Sequence, residues 1–147
     1  MKNTAQGFSL IEILVVVALV SLFVFPLLFN AVQVGQIQSL RSAAAVLSDD
    51  LSAAKVASRD ARDQKAWGVV SIDDTHYQVV SGAKNNFETS QARTLDKGLS
   101  FVQPFTVWFQ IGTGGVQNNE RIEIMNQRGN VFEITVNKTG VVQIKQL

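Results

Sequence analysis

The sequence contains no cysteine, only two prolines and a single histidine among its 147 residues. Without cysteine the chain has no disulfide framework, thiolate metal site, iron–sulfur cluster or cysteine nucleophile. His76 stands alone in a β-rich stretch, where a histidine is more often a surface residue than a base or a ligand. Lys and Arg number 13 against 12 Asp and Glu, which gives no electrostatic case for nucleic acid as the main partner. We therefore predict that the protein is not an enzyme and holds no cofactor and no metal.

The apolar residues are concentrated near the N-terminus, and residues 13–28 carry no charge. Between positions 8 and 29, the residues outside the apolar set are Ser9, Glu12, Ser21 and Pro26. A run of about 20 apolar residues matches the roughly 30 Å hydrocarbon core of a bilayer. A buried core helix is rarely apolar on every face, and a secretory signal peptide has a shorter run and a small-residue cleavage site after it. We predict a transmembrane helix over residues 8–30.

Glu12 is an ionisable residue inside this apolar run. A carboxylate there costs about 1–3 kcal/mol even near a helix end, although the positive end of the helix dipole favours it. Its natural partner is a positive charge one turn away, at position 8, where Phe8 supplies none. Cleavage between Gly7 and Phe8 would place a new α-amino group there. The alternative is a carboxylate that extends to the membrane interface.

Residues 7–12, with the sequence Gly-Phe-Ser-Leu-Ile-Glu, together with the apolar run that follows, resemble the processing signature of type IV pilin-like proteins. That superfamily includes pilins and the pseudopilins of type II secretion. The resemblance implies that residues 1–7 are a leader, that prepilin peptidase cleaves after Gly7, and that Phe8 is N-methylated. It also implies that Glu12 pairs with the N-terminal amine of a neighbouring subunit during assembly. The implied partners are the peptidase, other subunits of a homo- or hetero-filament, and membrane lipid before assembly.

Lys2 is the only basic residue before the apolar run. The positive-inside rule then predicts a single-pass protein of the plasma (inner) membrane, with a cytoplasmic N-terminus and an extracytoplasmic head. The resemblance implies later transfer to a filament at the cell surface. Removal of residues 1–7 deletes Lys2, so the side-chain charge of the mature chain falls from +1 to 0. Like-charge repulsion would not oppose packing beside identical copies.

Residues 31–66 keep a helical rhythm with one apolar stripe and polar residues between, which predicts an amphipathic helix continuing into the head. The stripe consists of Ile37, Leu40, Ala44, Leu47, Leu51, Ala54 and Ala61, with Ser58 filling a gap. Its alanines favour packing on the protein's own sheet over a heptad coiled coil. Pro26 and Gly35 are predicted helix breakers, with a kink at Pro26. Related filaments lose helix between such breakers on assembly, and the resemblance implies the same for residues 22–35.

The runs of β-forming residues between positions 67 and 147 predict a β-rich head. Strands are expected at 67–72, 76–80, 121–125, 131–136 and 141–144, with turns at 127–130 and 137–140. Residues 81–98 are polar and predict a loop, with room for a short ordered piece around Phe87. Residues 99–111 alternate, with Pro104 at a bulge, an edge or a break, and residues 112–115 predict a flexible turn. Of the aromatic residues Phe101, Phe105, Trp108 and Phe109, most are expected in the core and one or two at a subunit contact.

The predicted fold is therefore α+β and pilin-like: a long N-terminal helix whose C-terminal half packs on a small antiparallel β-sheet head. The order of its elements is similar to that of H-type pseudopilins of type II secretion and related minor pilins.

The leading functional hypothesis is a structural subunit of a type IV pilus or a type II secretion pseudopilus. One alternative is a minor tip subunit whose head binds DNA or a secreted substrate. The basic residues of the head are dispersed in sequence, so nucleic acid binding is not supported. They include Lys84, Arg93, Lys97, Arg121, Arg128 and Lys138. A second alternative is a simple single-pass membrane anchor carrying a binding domain, which predicts no cleavage after Gly7.

Overall fold

The computed structural model describes residues 9–83 and 86–147, and for residues 25–34 it describes the backbone alone. The chain divides into two compact units, Met1–Gln36 and Ile37–Leu147. The described part of the first unit is helical from Leu10 onward. The second unit contains the remainder of that helix and eight β-strands.

Helix α1 extends from Leu10 to Arg59. Up to residue 24 the helix is apolar on every face, a composition typical of a helix with apolar surroundings. After residue 36 it has a single apolar stripe, which is typical of a helix packed on a core. Helix α1 continues through Pro26 and Gly35, where breakers were predicted. The loss of helix over residues 22–35 on assembly stays a prediction.

Helix α1 ends at Arg59. The helical spacing of apolar and polar residues predicted an end at residue 66, so the helix is shorter than predicted. A short 3-10 turn follows at Arg62–Gln64, and Ala61, Asp63 and Gln64 have positive φ values of 51°, 55° and 54°. Left-handed geometry costs a non-glycine residue roughly 1–2 kcal/mol. These residues connect the helix to the first strand, which begins at Ala66, and local helix propensity does not reveal where that connection starts.

In the described part of the chain, eight strands form two antiparallel four-stranded sheets. Sheet 1 has the order β3-β2-β1-β5 and consists of β1 (Ala66–Ser71), β2 (His76–Ala83), β3 (Asn86–Thr94) and β5 (Thr106–Phe109). Sheet 2 has the order β4-β6-β7-β8 and consists of β4 (Leu99–Phe101), β6 (Glu120–Asn126), β7 (Val131–Val136) and β8 (Val142–Gln146). The head therefore contains two sheets where one was predicted.

The predicted β1–β2 hairpin and the C-terminal meander β6–β7–β8 are confirmed. The prediction of a loop over residues 81–98 is wrong, because β2 runs on to Ala83 and β3 follows it. Strand β3 lies at the edge of sheet 1 with nearly every residue exposed, so it has no apolar alternation to reveal it. The predicted break at Pro104 separates β4 and β5, which belong to different sheets.

The core of the second unit is one apolar cluster that joins helix α1 to the inner faces of both sheets. The helix contributes the predicted stripe, namely Leu40, Ala44, Leu47, Leu51 and Ala54, each almost completely buried. Ile37, the first residue of the predicted stripe, is 38% exposed, and Ala61 lies beyond the helix end. The fold is therefore α+β, with a helix packed on an antiparallel β head, as predicted.

Candidate functional site

The N-terminal end of helix α1 is the predicted assembly segment. The backbone carbonyl of Ser9 accepts hydrogen bonds from the N–H groups of Glu12 at 3.0 Å and Ile13 at 3.2 Å, which fixes the first turn. Glu12 lies in that turn, where its carboxylate complements the partial positive charge of the helix start. The dipole alone is worth about 0.3–1 kcal/mol to an exposed carboxylate, so it leaves room for a stronger partner.

The large apolar side chains of the first unit are exposed on every described face of the helix. Leu10 is 79% exposed, and all of the large apolar residues from there to Val24 exceed 40%. A soluble monomer rarely displays a continuous apolar surface of this kind, and such a surface marks contact with lipid or protein. The one hydroxyl group that lies well within it, on Ser21, is satisfied locally by donation to the Val17 carbonyl at 2.7 Å.

Among the residues that the structure describes, no side chain forms a hydrogen bond or ion pair with the Glu12 carboxylate. Its nearest surroundings include the apolar side chains of Ile13, Val16 and Val17. A carboxylate with apolar neighbours on an apolar surface requires a counter-charge once water is excluded. The arrangement can therefore bind a cation, and a protonated amine is the simplest group of that kind.

Gly7 and Phe8, the predicted cleavage and methylation residues, lie outside the described residues, as do the leader and the Pro26 side chain. Gly35 is described and lies within helix α1, at the last turn of the first unit. Within the described part of the chain, no helix meets the length and hydropathy needed to cross a membrane.

A second cluster, around Asp50, lies inside the head and was not predicted from the sequence. Asp50 is buried on helix α1, where it accepts a bidentate pair of hydrogen bonds from Arg93 of β3, at 2.7 Å from Nε and 3.1 Å from the second nitrogen. The hydroxyl group of Tyr77, on β2, donates to the same carboxylate at 2.8 Å. Burial, followed by the hydrogen bond to Asp50, raises the pKa of Tyr77, and the same carboxylate raises the pKa of Arg93.

This cluster joins the helix to the edge of sheet 1, and its saturated hydrogen bonding indicates a structural role. One sequence signal was present. Asp50 lies three residues after Leu47 and four before Ala54, which places a carboxylate within the apolar stripe. Its partner Arg93 could not be identified, because the strand that carries it was predicted as loop.

The turn between β1 and β2 holds a third cluster, centred on the exposed carboxylate of Asp73. Its Oδ1 accepts hydrogen bonds from the backbone N–H groups of Thr75 and His76, both at 2.7 Å, and from the Thr75 hydroxyl at 3.0 Å. The His76 ring nitrogen Nδ1 lies 2.8 Å from Oδ2. The Thr75 backbone bond and then the His76 side chain lower the pKa of Asp73 to about 2. The lone histidine is thus a turn-stabilising residue.

Arg121 joins two carboxylates on the face of sheet 2 that lies away from the core. Glu123 and Glu133 are direct cross-strand partners on β6 and β7, and like charges in that position repel. Arg121 contacts both, at 2.6 Å to Glu123 and 2.5 Å to Glu133. Two of the seven basic residues of the head, Arg93 and Arg121, are therefore neutralised within the chain, which weakens any basic face for nucleic acid.

Most of the four aromatic residues lie in the core, as predicted, whereas a subunit contact by one or two of them stays a prediction. Phe101, Phe105 and Phe109 are buried in the core cluster. Trp108 lies on the outer face of sheet 1, where its ring covers Gly68 of β1 and contacts Phe87 of β3 with ring centroids 6.0 Å apart. A Cβ at position 68 would lie 2.5 Å from the Val107 carbonyl and 3.0 Å from the indole, so glycine is required there.

Comparison with known protein families gives one match. The family model of the prokaryotic N-terminal methylation motif matches residues 2–28, which contain Gly7, Phe8 and Glu12. No curated protein and no solved structure matches the chain. The chain therefore carries the N-terminal methylation motif found in type IV pilin-like precursors.

Proposed function

We propose that this protein is a structural subunit, a pilin or pseudopilin, of a type IV pilus or a type II secretion pseudopilus, and that it has no enzymatic activity. The observation that carries the proposal is Glu12, a carboxylate without a described partner in the first turn of an apolar, exposed helix. The methylation motif at residues 2–28 supports it, because the same motif supplies the cleavage position that creates a counter-charge.

In this proposal the precursor is held as a single-pass protein of the plasma membrane by its apolar N-terminal segment, with the head outside. Prepilin peptidase cleaves after Gly7 and methylates the new N-terminus at Phe8. The amine remains protonated and binds the Glu12 carboxylate of a subunit already in the filament. Pairing two charges in an environment of low dielectric constant aligns the incoming chain, since a displaced register leaves both charges unpaired.

Substitution Glu12→Ala tests the role of the carboxylate. We expect normal membrane insertion and normal cleavage, with filament assembly lost, because the α-amino group then has no counter-charge at the apolar contact. Insertion is measured by membrane fractionation, cleavage by N-terminal mass spectrometry, and assembly by the sheared filament fraction. The matched variant Glu12→Asp keeps the charge and should retain part of the assembly. Wild-type filament yield from Glu12→Ala would refute the assigned role.

The N-terminal mass distinguishes this proposal from a simple membrane anchor. A processed subunit begins at Phe8 with one added methyl group, whereas an anchor retains residues 1–7. Gly7→Leu provides the control, since a bulky side chain before the scissile bond should block cleavage and leave the precursor in the membrane. An unprocessed wild-type chain in cells that process other precursors would favour the anchor.

A further inference from the structure

Sheet 1 has an open edge on each side, at β5 and at β3. Ser71 donates its backbone N–H to the Phe105 carbonyl at 3.0 Å, so Phe105 directs its backbone groups toward β1. Hydrogen-bonded residues alternate along an antiparallel strand, which means that Val107 and Phe109 also face β1. Thr106 and Trp108 then direct their backbone N–H and C=O groups away from the sheet. In the described part of the chain, β5 pairs with β1 alone.

The opposite edge has the same character. Leu95 donates its backbone N–H to the Thr75 carbonyl at 2.8 Å, in register with the β2–β3 pair. By the same alternation, Ala92 and Thr94 of β3 present their backbone groups outward. Every residue of β3 except Arg93 is exposed, so the strand is accessible along its length.

Neither edge strand carries a lysine, a proline or an unpaired charge, which are among the features that usually prevent strand addition. The bulge of β3 lies at Ser90 and leaves the outward backbone groups of Ala92 and Thr94 in regular register with β2. Strand β5 contains no charged residue and no proline. The charged side chains of β3 are Glu88 and Arg93, and both are already paired within the chain, with Lys65 at 2.7 Å and with Asp50. By contrast β8, an edge of sheet 2, carries Lys145. Sheet 1 is therefore the one whose two edges can meet without a charge penalty.

The strand directions allow the two edges to pair with each other. Strand β1 is antiparallel to both β2 and β5, and β2 is antiparallel to β3, so β3 and β5 run in opposite directions. When two copies of the chain have the same orientation, β5 of one copy and β3 of the next are antiparallel, as in the rest of the sheet. The contact joins different surfaces of the two copies, so it can repeat without closing.

We propose that β5 of one head adds to β3 of a second copy of this chain, so that sheet 1 continues from subunit to subunit. The second copy is the occupant, because the two edges match in direction and in the absence of free charge. The inference rests on the proposed function, because a filament is where copies of the chain would lie side by side. The strand pairing itself requires only two copies.

The absence of cysteine from the natural sequence allows a direct test. The full-length variant Thr106→Cys/Ser90→Cys places one thiol at each open edge, at exposed positions of β5 and β3. Treatment of filaments with a short bis-maleimide should give a ladder of covalent dimers, trimers and larger species. The control Thr106→Cys/Gln143→Cys moves the second thiol to exposed Gln143 on β8 and should give no ladder.

Filaments that assemble but give no ladder would overturn the edge pairing and leave the proposed function intact. An equal ladder from the control would also overturn it, as would dimers from Ser90→Cys alone, which indicate pairing of β3 with itself. If no filament forms, the proposed function fails, and the same reaction on membranes still decides the pairing. A ladder there supports it, and a monomer band alone refutes it.

Discussion

Two carboxylates of helix α1, Glu12 and Asp50, illustrate how the surroundings of a residue determine its role. Asp50 is buried and fully hydrogen-bonded by Arg93 and Tyr77 of the same chain. Glu12 has no side-chain partner among the described residues and lies on an exposed apolar surface. The first carboxylate stabilises one fold, whereas the second is available to a group supplied from outside.

Substitution Asp50→Ala should reduce the free energy of unfolding by about 2 kcal/mol. Loss of the carboxylate leaves the Tyr77 hydroxyl buried without an acceptor, while Arg93, whose side chain is 38% exposed, recovers part of its hydration. Urea unfolding of the purified full-length chain, followed by tryptophan fluorescence, measures the change. Asp49→Ala removes an exposed neighbouring carboxylate and should change the free energy by less than about 0.5 kcal/mol. Equal effects of the two variants would contradict the structural role of Asp50.

The Asp73 turn should contribute a pH dependence to stability. Its folded pKa, about 2, lies below the model-peptide value of 3.8, so its stabilising effect is complete above pH 4. As the pH falls from about 4 to about 2, the unfolded chain binds a proton first and this stabilisation is lost. Thermal midpoints between pH 2 and pH 6 should therefore fall less steeply for Asp73→Asn than for the wild type. Asp74→Asn removes a charge from the same turn without removing these hydrogen bonds, and it should follow the wild-type curve.

At the scale of elements, the end of helix α1 is held by glycine-rich loops. Ser58 is completely buried. Its hydroxyl oxygen accepts a hydrogen bond from the Trp67 backbone N–H at 2.7 Å, and its backbone carbonyl accepts one from the Gly112 N–H at 2.9 Å. A Cβ at Gly114 would lie 3.0 Å from the Lys55 side chain. Residues 112–115, predicted as a flexible turn, thus pack closely against the helix.

Substitution Gly140→Ala should destabilise the head by about 2–4 kcal/mol. Gly140 has a φ of 73°, and a Cβ there would overlap the Gly114 carbonyl oxygen, so that both loops must move. Gly129 has a similar φ of 80° but open space around it, and Gly129→Ala should cost only about 1 kcal/mol. The difference between the two urea midpoints isolates the steric contribution. Similar midpoints would mean that the two loops separate readily.

The sequence predicts the helices and strands in which apolar residues recur at regular intervals. It misses the elements whose position depends on contacts with residues distant in sequence. The apolar stripe at Leu40, Ala44 and Leu47 identifies the buried helix face, and alternation identifies the meander. Strand β3 and the helix end were missed, because backbone pairing with β2 and the Ser58 contact determine them. Of the candidate site, Glu12 was identified by its charge in an apolar run, whereas the Asp50–Arg93 pair required the fold.

At the scale of the whole molecule, the amino-acid composition of the chain is an average over two units that differ in how their apolar residues are exposed. The described large apolar residues of the first unit are exposed, whereas the second unit buries an apolar core between its helix and its two sheets. The single excess positive charge belongs to Lys2, within the predicted leader. The mature subunit would therefore be balanced in side-chain charge, and its head is stabilised by packing and hydrogen bonds without any disulfide.

The exchange of β4 and β5 between the sheets has a consequence for how the polypeptide can be divided. Strand β4 belongs to sheet 2 although it precedes β5, which completes sheet 1. A chain break before β4 separates β5 from the other strands of sheet 1. A chain break after β5 separates β4 from the other strands of sheet 2. A single proteolytic nick therefore never yields two fragments that each contain a complete sheet, and ribosomal synthesis cannot finish one sheet before beginning the other.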